Sequence, residues 1–291
     1  MTVPARPTPL FADIADVSRR LAETGYLPDT ATATAVFLAD RLRKPLLGEG
    51  PPRGGENARG RAVAQATGSG LVRLQCYEGV DEARALYEWN HAKQILRIQA
   101  GSGDWEATKT DVFSEEFLLQ RPLLTAIRRT EPTVLLIDET DKADIEIEGL
   151  LLEVLSDFAV TVPELGTLTA TRAPFVLLTS NATRELSEAL KRRCLYLHID
   201  FPTPELERRI LLSRVPELPE HFAEELVRII GVLRGMQLKK VPSIAETIDW
   251  GRTVLALGLD TIDDAVVAAT LGVVLKHQSD QQRATGELRL N

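Results

Sequence analysis

Residues 134–140 read VLLIDET, an apolar run that ends in two adjacent acids, Asp138 and Glu139. A buried strand of this kind delivers its carboxylates to the C-terminal edge of an α/β sheet, where such sheets bind ligands. In nucleotide hydrolases of this architecture the Asp holds Mg²⁺ and the neighbouring acid polarises the attacking water. Asp138 is thus the candidate metal ligand and Glu139 the candidate general base. A second apolar run, residues 175–179 (FVLLT), leads to Asn181, whose side-chain amide suits holding the attacking water. Arg192 and Arg193 stand immediately before a third run, CLYLHI. A guanidinium in that place stabilises transition-state charge on the phosphate of a neighbouring subunit. Taken singly, each feature also has a plain reading as a solvated strand end, a turn former or a basic helix end. The ordered set carries more weight than its parts.

The fourth part of such a site is a phosphate-binding loop, G-x-x-x-x-G-K-[ST], between a strand and a helix. After Pro45-Leu46-Leu47 this chain offers Gly50, Pro51, Pro52, Arg53, Gly54, Gly55, Glu56 and Asn57. Both end glycines are in place, but Glu56 stands at the lysine position and Asn57 at the Ser/Thr position. At about 4 Å and an effective dielectric of about 20, one unit-charge pair is worth roughly 4 kcal/mol, so reversing the sign is costly for a bound phosphate. Asn57 offers Mg²⁺ only a neutral carbonyl oxygen. Backbone N–H groups at the helix start still favour an anion. Arg59, three residues beyond Glu56, is placed to pair with it. Arg53, Arg59 or Arg61 could supply the missing positive charge, but none occupies the lysine's place, and the preferred reading is three solvated surface arginines. Gly60 falls early in the helix at a cost of roughly 1 kcal/mol relative to alanine.

These residues need a sheet with helices around it. Short apolar runs at 45–47, 71–77, 133–137, 175–179 and 194–199 alternate with helical patterns, as in right-handed β-α-β units. Residues 11–23, 30–43, 81–89 and 118–129 carry helical spacing. The stretch 161–169, with Pro163 and Gly166, reads as a hairpin. Beyond Phe201-Pro202 only helical periodicity remains, in four blocks near 204–213, 219–234, 243–257 and 260–276. The expected organisation is an α/β core over residues 1–202 and a small all-helical lid over 203–291.

The order strand-DE, strand-Asn and Arg-Arg-before-strand resembles Walker B, sensor 1 and the arginine finger of AAA+ proteins. The blocks LVRLQCYEGVDEARALYEWN, VTVPELGTLTATRAPFVLLTSNATREL, ALKRRCLYLHIDFP and PSIAETIDW resemble the MoxR family, closest to its branch associated with carbon monoxide dehydrogenase maturation. The resemblance covers most of residues 40–250. It implies a P-loop NTPase-type AAA+ core with a parallel sheet, ATP and Mg²⁺ as cofactors, and a ring, homo- or hetero-oligomeric and hexameric. It also implies chaperone-like remodelling or metal-cofactor insertion, a von Willebrand factor A domain partner and a client metalloenzyme, with the 161–169 hairpin facing the ring's channel. The departure at Glu56 and Asn57 opens an alternative, a non-hydrolysing structural or regulatory ring subunit. The AAA+ lid often carries a phosphate-sensing arginine, yet VPSIAE at 241–246 contains none; Lys239, Lys240 and Arg252 are nearby.

Bulk properties narrow the field. With 34 basic and 42 acidic side chains the formal net charge is −8, which gives no support to nucleic-acid or anionic-membrane binding. No apolar run reaches the roughly 18 residues that a membrane-spanning helix needs, and the N-terminal residues turn charged too early for a signal peptide. A cytoplasmic protein is expected. Cys76 and Cys194 sit in strand-like runs and read as buried, reduced thiols. His91, His198, His221 and His277 show no metal-ligand spacing.

Overall fold

The computed structural model describes residues 9–50, 56–100, 111–259 and 261–288, with only the backbone of residues 56 and 57. The chain opens with two helices, α1 (Ile14–Glu23) and α2 (Thr30–Leu42), each started by an Asp side chain that accepts a first-turn N–H, Asp13 and Asp29. Then come β1 (Leu46–Glu49), α3 (Glu56–Thr67) and β2 (Gly70–Gln75). A small antiparallel ribbon follows, formed by β3 (Tyr87–Trp89) and β4 (Leu118–Gln120), with α4 (Glu82–Ala85) before it and α5 (His91–Ala100) between its strands. α6 (Pro122–Arg128) leads into β5 (Thr133–Asp138), and α7 (Ile145–Asp157) into the hairpin β6 (Ala159–Val162) and β7 (Gly166–Thr169). β8 (Phe175–Ser180), α8 (Glu188–Arg193) and β9 (Leu195–His198) complete the α/β part.

Five strands form one parallel sheet in the order β2-β5-β8-β1-β9. β5 and β8 are buried along their whole length, which is why they read as continuous apolar runs. Their side chains alternate between two cores. Leu135, Ile137, Val176 and Leu178 enter the core under α6 and α7, whereas Val134, Leu136, Phe175 and Leu177 enter the one under α1, α2 and α3. Gly60 is explained here: a Cβ on it would come within 3.1 Å of the Leu136 side chain, so α3 packs close against β5.

Beyond the sheet lie α9 (Pro204–Arg214), α10 (Glu220–Gly235), α11 (Ile244–Ala256), α12 (Asp264–Val274) and α13 (Gln278–Glu287). They share a separate core around Trp250, whose indole N–H donates to Thr270 Oγ1 at 2.8 Å. The expected α/β core with a parallel sheet, followed by helices, is the architecture observed.

Three local expectations need correction. The helical pattern at 81–89 yields only one turn before the chain becomes β3, and that at 118–129 begins as β4; pairing between these distant segments overrides the local periodicity. The helical region has a fifth helix, α13, which buries Asp280 and Ala284 rather than an apolar stripe. The hairpin at 161–169 is present, turning at Gly166 with φ +79°. Of the 109–111 segment only Asp111 lies within the described residues, paired with Arg97 at 2.5 Å.

Candidate functional site

The sheet's C-terminal edge gathers the ends of β1, β5 and β8, where the strand order crosses over. Gly50 follows β1, and its N–H donates to Ser180 O at 3.1 Å. A Cβ on Gly50 would lie 2.2 Å from Ile199 O, so the chain can pass here only as glycine. Pro51, Pro52, Arg53, Gly54 and Gly55 lie outside the described residues, as do the side chains of Glu56 and Asn57. The described part of α3 begins at Glu56, the position immediately after that segment.

Asp138 ends β5 and is 2% exposed. Its Oδ1 accepts the Thr179 hydroxyl at 2.6 Å and its Oδ2 accepts Arg73 Nη2 at 2.5 Å. Thr179 Oγ1 in turn accepts the Glu139 N–H at 3.0 Å, so a single hydroxyl ties the two acids to β8. A magnesium ion at Asp138 fits only with Arg73 turned outward, where 37% of its side chain already lies. Glu139 is left-handed, φ 54° and ψ 49°, and Ala182, next to Asn181, has φ 54°. Two non-glycine residues in this region at one edge place local backbone strain beside the acids.

Asn181 follows β8, and the Oδ1 of its amide is buried without a hydrogen-bond partner among the described residues. The loop that carries it is held by Asp141. Its two oxygens accept the Asn181 N–H at 3.1 Å, the Thr183 N–H at 3.0 Å and the Thr183 hydroxyl at 2.5 Å. Burial works against the charge on Asp141, but the Thr183 and Asn181 bonds outweigh it and hold the carboxyl below its ordinary value. Sequence reasoning missed both Asp141 and Thr179. Asp141 was visible only as an acid three residues past Asp138, a spacing with no meaning until the β8 loop is placed beside it.

Arg192 and Arg193 occupy the exposed last turn of α8, where Arg193 Nε donates to Ser156 Oγ at 2.7 Å. They stand apart from the Asp138–Asn181 cluster in sequence and element, on a surface that faces outward. Lys239 and Lys240 donate their backbone N–H groups to Asp280 on α13 at 3.0 and 3.2 Å, and Arg252 lies 3.4 Å from the exposed Asp249. Tyr77 is exposed and accepts from Arg84 at 3.2 Å, whereas Trp89 packs edge-on against Phe113. Among the described residues no group of three His, Cys, Asp or Glu side chains could hold a metal. Cys76 and Cys194 are free and buried, and burial pushes both thiols up to about 12.

The arginine expectations divide. Arg61 is exposed, as read from the sequence, and Arg53 lies outside the described residues. Arg59 is 4% exposed, not a solvated surface residue. Its Nε donates to the Tyr26 hydroxyl at 3.1 Å. It lines a cavity of about 170 Å³ between the sheet edge and the helical region, together with Tyr26, Ile199, Ile210, Arg214 and Ile248. A concave, mainly apolar site with a few convergent polar groups is the usual form of a small-molecule site.

Sheet order, site edge and helical appendage together give a five-stranded parallel α/β fold followed by a helical region. The sequence matches no family profile and no curated protein. Among solved structures it is similar to two point variants of Thermotoga maritima RuvB, each at 17% identity. One gives a TM-score of 0.48 over 98% of this chain and 74% of that chain; the other gives 0.49 over 92% and 72%. No helix among the described residues is long and apolar enough to cross a membrane.

Proposed function

We propose that this chain is a MoxR-type AAA+ ring subunit whose own nucleotide site turns over ATP slowly or not at all, and which serves the ring as a structural or regulatory member. The observation that carries the reading is an acid, Glu56, as the first described residue of α3, six positions after Gly50 at the end of β1. An acid there occupies the first turn, where the helix macrodipole would otherwise receive a phosphate. Arg73 on Asp138 acts in the same direction, because a guanidinium 2.5 Å from the carboxylate opposes a second cation there.

The reading keeps residues 1–202 as core and 203–291 as lid. Its partners are further subunits of a hexameric ring, a von Willebrand factor A domain protein and a client metalloenzyme. Arg192 and Arg193, exposed on α8, act in trans on a competent neighbour. Glu139 and Asn181 support a second reading, an active remodelling ATPase, since the unpartnered Asn181 Oδ1 is placed for a bound water.

The test compares multi-turnover phosphate release by the native chain and by the Glu56→Lys/Asn57→Thr double variant. The expected result is little release by the native chain and a clear gain on repair. Native turnover as fast as that of an intact P-loop ATPase would sink the proposal. The trans role is tested separately: in mixed assemblies, Arg192→Ala/Arg193→Ala should lower a competent homologue's turnover, and an unchanged rate removes that role.

A further inference from the structure

Arg59 is a buried cation with no acid paired to it among the described side chains; that of Glu56, expected to pair with it, lies outside them. It is the fourth residue of α3, and its Nη1 has no hydrogen-bond partner among the described residues. Tyr26 accepts from Nε, but a phenol carries no charge to offset a guanidinium. The room for it comes from Gly48 on β1. A Cβ at Gly48 would stand 2.5 Å from Arg59 Nη1 and 2.8 Å from Ile199 Cδ1. Gly48 has no positive φ that would otherwise call for glycine, so its missing side chain is best explained by the guanidinium beside it.

The cavity at Arg59 is also lined by a second guanidinium, Arg214 of α9, and by the apolar Ile199 and Ile210. Of the acids on the cavity, Asp29 is spent as the cap of α2, and Asp200 has an interaction of its own. The cavity thus combines an apolar body with guanidinium donors, which suits a planar ligand with an anionic group.

We propose that Arg59 holds the anionic group of a nucleoside phosphate bound in this cavity, supplying from the next turn of α3 the positive charge that Glu56 does not offer, and that it does so without a divalent cation. The proposal rests on the nucleotide-site reading above but not on the rate of hydrolysis. A guanidinium is always charged and donates in a fixed fork, so it holds a phosphate by two hydrogen bonds where an ammonium acts as a point charge. Nη1, unbonded where it packs beside Gly48, becomes the donor to the anion once the guanidinium rotates toward the cavity.

The experiment is calorimetric titration of the full chain with ADP, adenosine and inorganic pyrophosphate, in EDTA and in Mg²⁺. Native protein, Arg59→Leu and Arg59→Lys are compared. The native chain should bind ADP at least about tenfold more tightly than adenosine, equally in EDTA and Mg²⁺. Arg59→Leu should bind ADP no better than adenosine, and Arg59→Lys should fall between. Pyrophosphate binding as tight as that of ADP identifies a free phosphoanion, not a nucleotide, as the ligand and overturns the nucleoside half of the proposal. Equal ADP affinity in native and Arg59→Leu protein, or no binding of any phosphate compound by the native chain, overturns all of it. A thermal melt without ligand checks that Arg59→Leu is folded. Fast native turnover would instead overturn the non-hydrolysing reading and leave the role of Arg59 standing or falling on the titrations.

Discussion

Arg234 in the helical region and Arg59 at the sheet edge are both buried guanidiniums, yet their surroundings are opposite. Arg234 donates to both oxygens of Glu207 at 2.5 and 2.8 Å and through Nε to Pro242 O at 2.9 Å. Its Cζ lies 4.1 Å from the centre of the Phe201 ring, and Glu207 also accepts the Thr247 hydroxyl at 2.8 Å. This network is closed. Arg59 has a neutral phenol and an open Nη1. The same asymmetry extends beyond this pair: of the five buried side-chain atoms without hydrogen bonds among the described residues, all belong to the α/β core, and only Glu148 Oε1 has an ion pair, with Arg184 at 2.6 Å. A saturated buried pair fixes geometry, whereas an unsaturated one marks where a further group is accommodated.

The comparison breaks most visibly if the closed network proves dispensable. Glu207→Ala strands the Arg234 charge in a place where only 11% of its side chain is exposed, and removing one partner of a buried pair costs about 3–5 kcal/mol. Urea denaturation at neutral pH measures this directly. A loss below about 1 kcal/mol would mean that Arg234 finds solvent as easily as a surface residue, and the contrast with Arg59 would lose its basis.

Asp141 lies between the two extremes, a buried acid satisfied entirely by the loop that it holds. Asp141→Ala removes the acceptor of two N–H groups and one hydroxyl, and the expected cost is about 2–3 kcal/mol, the scale of hydrogen bonds to a charged group. The sign of its pH dependence follows from the depressed carboxyl. The stabilisation is complete above the unfolded-state value, about 3.9, and is lost as pH falls through the lower folded value. The gap between native and Asp141→Ala stability should therefore be full at neutral pH and narrow in strong acid. A gap independent of pH would mean that the loop is held by packing, not by the carboxylate.

How much of this was legible in the sequence depended on whether a residue's neighbours were local. The central strands announced themselves because burial on both faces leaves nothing polar in 134–137 or 175–178. Asp138, Glu139 and Asn181 were legible because strand ends in such sheets converge on one edge. β3 and β4 were not, since each is three residues long and pairs across nearly thirty residues of chain. α13 escaped because its sequence, QSDQQRATGE, carries no apolar period. Thr179 is invisible as a site residue until β8 is set beside β5, where its hydroxyl meets Asp138. Arg59 had a signal that charge obscured: it lies three and four residues before the buried Ala62 and Val63, so helical spacing alone turned it inward.

The smallest expected effect on stability is the most discriminating. If Arg59 is placed for a ligand, replacing it by an apolar side chain of similar reach removes an uncompensated charge and leaves the fold no worse. Arg59→Leu should change the unfolding free energy by less than about 1 kcal/mol, or raise it, as replacing buried ions by apolar residues often does. The neighbouring surface favours this outcome, because Ile199 Cδ1, which packs beside Gly48, offers Leu at 59 an apolar neighbour. The measurement is a denaturation curve of Arg59→Leu beside that of Glu207→Ala, under one buffer without nucleotide. A loss by Arg59→Leu of about 3 kcal/mol, matching the helical pair, would make the Tyr26 bond a structural anchor and deprive the cavity of its anion-holding group.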